Sequence, residues 1–284
     1  MHPIPSRLSP SRINTFIKCP MQFRFQYVDE VPQSPQVHML RGNFVHLVLE
    51  YLLGHEPHDR TPEAAKASFE RARTEFVERD DFTALALTPG EVDTFWEESR
   101  DHVRAYYRIE NPRSARIEGL ERRVEADLGE LAVHGIVDRI ERDEADRLIV
   151  TDYKTGKPKP ERFSTDYARQ LQLYALMCEH TLGTPPDEVR LFFLGGSVRE
   201  TPTSQRVLRW ASTPESRTRV RTEAIDTHRR IATSCASGIF ATNTSPLCDW
   251  CDYKRWCPAW GGDPERAREE APVVVQRREA VPRG

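Results

Sequence analysis

The sequence predicts an α/β fold, a mixed central β-sheet flanked by helices, with a helical N-terminal part and a C-terminal cysteine region. Three observations predict it. Apolar residues recur at helical spacing through the first third; from about residue 115 the pattern changes to successive strand-like runs; beyond these, helical and strand-like segments alternate. A sheet flanked by helices follows.

Taken in order, "SRINTFIKCPMQFRFQYV" has helical periodicity after Ser9 and Ser11, and Pro20 should interrupt it. "RGNFVHLVLEYLL" reads as a strongly apolar helix. Residues 61–80 and 89–110 read as more solvated helices, each opened by Thr-Pro. "RIEGLERRVEADL", "ELAVHGIVDRIE" and "RLIVTDYK" then read as a three-stranded meander. A helix, "DYARQLQLYALMCEHTL", precedes the strand "EVRLFFLGG", an edge strand around "QRVLRWAS" and a long mixed-charge helix over about 214–238. The expected organisation is a helical region over 1–112, a core over 113–240, a cysteine region over 241–262 and a disordered tail over 263–284.

At 284 residues, 38% apolar and 30% charged, the chain can bury a sizeable core, and its net charge of −3 argues against a protein that coats nucleic acid. Any polyanion must be met by a local patch. No apolar run approaches the roughly 20 residues of a membrane span, and "MHPIPSRLSP" is not a signal peptide, so a cytoplasmic protein without membrane contact is expected. There is no G-x-x-x-x-G-K-[ST], hence no P-loop motor.

In "LIVTDYKTGKP" an apolar strand ends on Asp152 and Lys154, which share a face while Tyr153 takes the other. A lone Asp-x-Lys is also what a solvated strand end looks like. The preceding strand, however, carries Asp138 in the otherwise apolar "GIVDRI", and an aspartate in a central strand must be paired, hydrogen-bonded or bound to metal. Asp138 and Asp152 meeting at one sheet edge would form an oxygen-rich site for Mg²⁺ or Mn²⁺, with Lys154 stabilising transition-state charge.

"GIVDRIERDEADRLIVTDYKTG" resembles the core of the PD-(D/E)XK nuclease superfamily, in particular its RecB-like branch. "RGNFVHLVLE", with Gly42 and His46, resembles that branch's Gly-x-x-x-His helix, and "RQLQLYALM", with Gln170 and Tyr174, its Gln-x-x-x-Tyr helix. The resemblance implies a restriction-endonuclease-like core. It implies a metal held by His46, Asp138, Asp152 and the Tyr153 main-chain carbonyl, with Lys154, Asp152, Asp138, Gln170 and Tyr174 in the catalytic machinery. Read as residues alone, His46 and Tyr174 are equally compatible with core positions, and Glu50, one turn on, would orient His46. His134 reads as structural. Lys157 and Lys159, and the arginines Arg217, Arg221, Arg229 and Arg230 of the long helix, are candidates for holding the DNA backbone.

Six cysteines are present, and three are grouped as Cys248-x2-Cys251-x5-Cys257 in "LCDWCDYKRWCPAW". Cys178 and Cys235 lie in apolar helices, which leaves Cys19 as fourth ligand; spacing alone admits zinc or a cubane cluster. One cysteine near the N-terminus and three near the C-terminus resemble the iron-sulfur staple of AddB-type and RecB-like CRISPR-associated nucleases, which implies a 4Fe-4S cluster. The whole is expected to be a divalent-metal-dependent DNA nuclease, an exonuclease on single-stranded or end-containing DNA in repair or recombination, working alone or beside a separate helicase. The alternatives are a CRISPR spacer-acquisition nuclease and a non-catalytic, zinc-stabilised nucleic-acid-binding protein.

Overall fold

Three of the helices start where the sequence supplies a capping oxygen and a proline for the first turn. The elements in chain order are β1 (Arg7–Leu8), α1 (Pro10–Lys18), α2 (Pro20–Phe23), α3 (Val37–Leu53), α4 (Pro62–Phe76), α5 (Asp80–Thr83), α6 (Pro89–Ile109), β2 (Arg116–Asp127), β3 (Ala132–Arg142), β4 (Leu148–Lys154), α7 (Thr165–Leu182), β5 (Glu188–Phe193), β6 (Val207–Ala211) and α8 (Pro214–Ser237). Ser9 and Thr61 cap α1 and α4 through their hydroxyls, and Thr88 closes a capping box with Glu91 at the start of α6. Each such cap is worth about 1 kcal/mol. Pro20 does interrupt the first helical stretch: Cys19 is extended, and the chain restarts as α2 and continues as a π-helical turn over Arg24–Val28.

This computed structural model describes residues 2–33, 35–197 and 199–271. The chain divides into two compact units, one of Met1–Ser34, Asp127–His134 and Arg219–Gly284, the other of Pro35–Ala126 and Gly135–Thr218. These boundaries differ from the linear division expected from sequence, because both termini belong to the first unit. Its core is built from residues such as Phe16, Phe23, Phe25, Ile231 and Tyr253. The expected tail does not begin at residue 263: Pro264–Arg266 is a 3-10 turn, 267–271 is helical, and Ala267 and Ala271 are buried. Buried Arg24 anchors this segment by donating to Asp29 at 2.9 Å and Glu265 at 2.6 Å. The remainder of the expected tail, 272–284, lies outside the described residues.

The second unit packs Phe44 of α3 edge-on against Phe69, Phe76 and Trp96 and in a tilted contact against Phe95. Its sheet is mixed, as expected: β3 is antiparallel to β4, β4 parallel to β5, and β5 antiparallel to the edge strand β6, with β2 paired to β3. In the first unit β1 pairs in parallel with the opening residues of β3, giving six strands in all. Every residue of β4 but Lys154 is buried, which makes β4 the central strand on which the charged groups below are carried.

Candidate active site

Register places the two aspartates together. Arg139 faces Thr151 across the β3–β4 pair, so one step further along each strand Asp138 stands across from Asp152 on the same face. Arg139 and Tyr153 point to the other face, where Arg139 donates to Glu110, Glu141 and the Tyr106 hydroxyl and Tyr153 joins the aromatic core. Asp138 Oδ2 accepts from Tyr153 N at 2.7 Å. His46, from α3, has Nε2 3.1 Å from Tyr153 O and Nδ1 3.5 Å from Asp138 Oδ2 and 3.9 Å from Glu121 Oε1. With Nε2–H donating to the carbonyl, Nδ1 is the atom left for a cation. One ligand atom each from His46, Glu121 and Asp138 lies within 4.8 Å of the others.

On the neighbouring strand Lys154 Nζ stands 2.7 Å from Asp152 Oδ2. The contact is a charge-assisted pair, and a carboxylate oxygen that accepts from one ammonium keeps a second lone pair for a ligand. Gln170 from α7 donates to Asp152 Oδ1 at 3.2 Å and lies 3.1 Å from the Tyr174 hydroxyl. Gly135 allows this: a Cβ there would stand 2.7 Å from the Tyr174 ring.

Two buried aspartates, the half-buried Glu121 and one histidine share this small volume, and their proton affinities record the conflict. Burial, then the Asp138 charge, raises Glu121 to about 7. Burial also raises Asp152 to about 6, against the pull of Lys154. For His46 burial opposes the charged form, but the Asp138 carboxylate beside it raises the ring to about 9. Lys154 is raised in the same way by Asp152, so it stays an ammonium. Burial is the largest influence on Asp138 and acts upward, yet the His46 charge and hydrogen bond, the Lys154 charge and the Tyr153 N–H together hold it below the usual carboxylate range. Clustered carboxylates that raise one another's pKa are a cation site in chemical terms, since a divalent ion would replace the protons. The residues fit a hard or borderline divalent metal with oxygen and imidazole ligands.

Glu121 is the residue that sequence reading missed. It lies in β2 at φ +44°, the left-handed region, where a non-glycine residue costs on the order of 1–3 kcal/mol. Inward-facing positions shift from Ile117 and Gly119 to Val124 and Ala126 on either side of it, so the strand slips phase there and aims a carboxylate inward. The broken alternation is the only trace in the sequence.

Glu50 does not orient His46; the ring nitrogens face Asp138, Glu121 and Tyr153 O instead. Tyr153 O, expected as a ligand, holds the ring. Lys157 and Lys159 are exposed beyond β4, and Lys159 Nζ lies 5.4 Å above the Tyr167 ring. Of the arginines on α8, Arg217 is buried and donates to Glu179 at 2.8 Å and to Ser212 O at 3.0 Å, so its guanidinium is already engaged within the fold. Arg229 is paired with Glu130 and Asp226, Arg230 lies over Phe16, and Arg221 is exposed.

Within the first unit, Cys19, Cys248, Cys251 and Cys257 line one cavity of about 180 Å³ together with Trp250, Tyr253 and Trp260. All four thiols are free. Cys178 and Cys235 are buried elsewhere, as expected for small apolar side chains. Burial, then the neighbouring thiols, raises Cys251 and Cys257, so ionising them together requires a bound cation. The set fits a metal or cluster. Four thiols supply the donor set of either a tetrahedral metal or a cubane cluster.

Among known proteins, the Gene 69 protein of Mycobacterium phage D29 is 24% identical over 290 residues, spanning 89% of this chain and 96% of that protein. The solved structure of SSO0001 aligns over 89% of this chain and 86% of its own at 14% identity and a TM-score of 0.39. A protein of Eubacterium rectale provisionally named an exonuclease aligns over 88% of each chain at 11% identity and a TM-score of 0.49. The model of the PD-(D/E)XK nuclease superfamily matches residues 7–258, which take in His46, Glu121, both aspartates, Lys154 and all four grouped cysteines. The chain belongs to the PD-(D/E)XK nuclease superfamily.

Proposed function

We propose that the chain is a divalent-metal-dependent deoxyribonuclease. The observation that carries this is the convergence of His46, Glu121 and Asp138 within 4.8 Å of one another, beside a buried aspartate, Asp152, paired with Lys154 at 2.7 Å. Mn²⁺ or Mg²⁺ held by these residues would supply Lewis acidity at the phosphoryl oxygens and lower the pKa of the attacking water. Lys154 contributes a fixed positive charge where negative charge develops on the phosphate, in a site walled from water. Asp152 holds that ammonium in place, and Gln170 holds Asp152. Tyr174, its hydroxyl kept protonated by burial and by Asp152, completes the polar wall. A non-catalytic scaffold would have no need of an aspartate, an aspartate and a lysine buried together and all present.

For the cysteine cavity the reading is a 4Fe-4S cluster, supported by four free thiols on one cavity and by their order along the chain, one near the N-terminus and three near the C-terminus. With such a cluster the chain would be a RecB-like member of the superfamily with an iron-sulfur staple, a reading that the order of the cysteines along the chain supports. Action on DNA ends or single strands, in repair or recombination beside a separate helicase, completes the proposal and rests on resemblance to that branch.

The test incubates purified protein with end-labelled single- and double-stranded DNA in Mn²⁺, in Mg²⁺ and in chelator. Cleavage in metal only, with Mn²⁺ at least as effective as Mg²⁺, is expected; no cleavage in any metal, or cleavage in chelator, would refute the reading. Anaerobically prepared protein should be brown with about four irons per chain; one equivalent of zinc in colourless protein would remove the cluster and leave the nuclease.

A further inference from the structure

β4 and β5 are parallel neighbours, and both run at their carboxyl ends into glycine-containing loops, "TGK" at Thr155–Lys157 and "GGS" at Gly195–Ser197. The two loops are in direct contact: a Cβ on Gly195 would stand 2.2 Å from Thr155 O, so only glycine fits. Behind the second loop lies Arg206, fully buried. Its guanidinium donates to four carbonyls of this stretch, Phe193 O at 3.1 Å, Gly195 O at 2.8 Å, Gly196 O at 3.2 Å and Ser197 O at 2.9 Å. In a trans peptide the N–H points opposite to the carbonyl of the same unit. Turning Gly195 O and Gly196 O toward Arg206 therefore turns the N–H groups of Gly196 and Ser197 away from it, the arrangement of a backbone anion nest.

A cavity of about 770 Å³ opens at these loops, lined by Thr155, Gly156, Gly196 and Ser197 and flanked by the exposed cations Lys157 and Arg199; its two carboxylates, Glu98 and Asp101, are paired with Arg41 and Arg104. Its floor is fixed on the other side by His102, whose Nε2 lies 2.9 Å from Thr155 O. Thr155 is the residue after Lys154, so the cavity begins where the candidate catalytic strand ends. Crevices at the carboxyl ends of parallel strands are where such sheets receive ligands.

We propose that this cavity is a phosphate subsite: it takes a phosphate of the nucleic-acid strand neighbouring the one that is cut, through the Gly196 and Ser197 amides, Lys157 and Arg199. The inference rests on the nuclease reading above and deepens it, since it gives the strand a fixed register on the enzyme. Lys157 and Arg199 neutralise the phosphate, and the amides fix its position without reading base identity.

The test uses the full chain in chelator, where binding is read without cleavage, and single-stranded oligonucleotides in which one phosphodiester at a time is replaced by an uncharged methylphosphonate. One linkage should stand out, its neutralisation weakening binding about fivefold or more. Lys157→Gln should weaken binding of the all-phosphate strand by a similar factor, and neutralising that linkage should then have little further effect; Arg199→Gln should behave alike. Equal penalties at every linkage, or penalties that multiply with Lys157→Gln, would overturn the subsite while leaving nucleic-acid binding intact. Failure of the wild-type chain to bind any oligonucleotide would instead overturn the nuclease reading beneath it. Inorganic phosphate that competes only with strands carrying a charged linkage at that position supports the subsite, and phosphate that competes equally with all of them counts against it.

Discussion

The carboxylate site of the second unit and the thiol cavity of the first are both candidate metal centres, yet they are built in opposite ways. The first brings charges together in a buried place: Asp138, Asp152 and Glu121 face His46 and Lys154, and no distribution of protons satisfies them all. The second gathers neutral groups, thiols whose ionisation burial suppresses. A cation entering the carboxylate site relieves a conflict that the fold has already formed. At the cysteines a metal or cluster would instead create charge and cross-link the chain as it binds. The difference teaches what each arrangement suits: one is preorganised for a cation, the other brings sequence-distant segments to one cavity.

The largest effect expected concerns the carboxylates. Asp138→Ala removes a ligand oxygen and the acceptor for Tyr153 N, so metal-dependent cleavage should fall to background in a gel assay. Residual cleavage above about 1% of wild type would mean that the metal is held elsewhere.

At the other site Cys19→Ala should act on stability. Cys19 and the C-terminal three are more than about 200 residues apart in sequence, and closing so long a loop is worth several kcal/mol, comparable to a long-range disulfide. Thermal unfolding of anaerobically prepared Cys19→Ala should show the loss of cluster absorbance together with a lowered Tm. Retention of both would show that Cys19 is not the fourth ligand.

A smaller effect separates the two sites by pH. Glu121, Asp152 and His46 all have pKa values raised by folding, to about 7, about 6 and about 9. For the two acids the folded state holds protons the unfolded chain has lost, so stability falls as pH rises from their ordinary values through 6 and 7. For His46 the stabilising contribution is full below its ordinary value near 6.5 and is lost as pH rises through 9. All three have the same sign. In chelator, Tm should decline from pH 5 to pH 9, and Mn²⁺ should raise Tm most at the alkaline end; the cysteine set predicts no such recovery. Metal-free protein that grows more stable over this range would contradict the buried charge cluster.

The smallest effect concerns α8. Arg217→Ala should lower Tm because it breaks buried bonds to Glu179 and Ser212, while Arg221→Ala should leave Tm unchanged. Equal Tm values for the two variants would return Arg217 to the surface.

Much of this was legible in the chain. Strand periodicity located β2 through β6, and alternation placed Asp152 and Lys154 on one face and Tyr153 on the other, because a buried sheet fixes phase strongly. Glu121 was not legible, since its role depends on a positive-φ residue that breaks the same alternation. The arginines of α8 looked equivalent because helical spacing says which residues share a face but not which face is covered; Arg217 has Glu179 over it and Arg221 does not. The discontinuous units follow from long-range contacts that no local pattern encodes, such as Arg24 with Glu265.

The central claim, that Asp152 helps hold a metal while Lys154 acts on the phosphate, is tested most directly by calorimetric Mn²⁺ titration of Asp152→Ala and Lys154→Ala, set beside their cleavage rates on one DNA substrate. Asp152→Ala should bind Mn²⁺ weakly and not cleave. Lys154→Ala removes a cation 2.7 Å from the Asp152 carboxylate, so its Mn²⁺ affinity should hold or rise while turnover falls by roughly 10² or more. A Lys154→Ala variant that cleaves at the wild-type rate, or loses Mn²⁺ binding as Asp152→Ala does, would contradict the account.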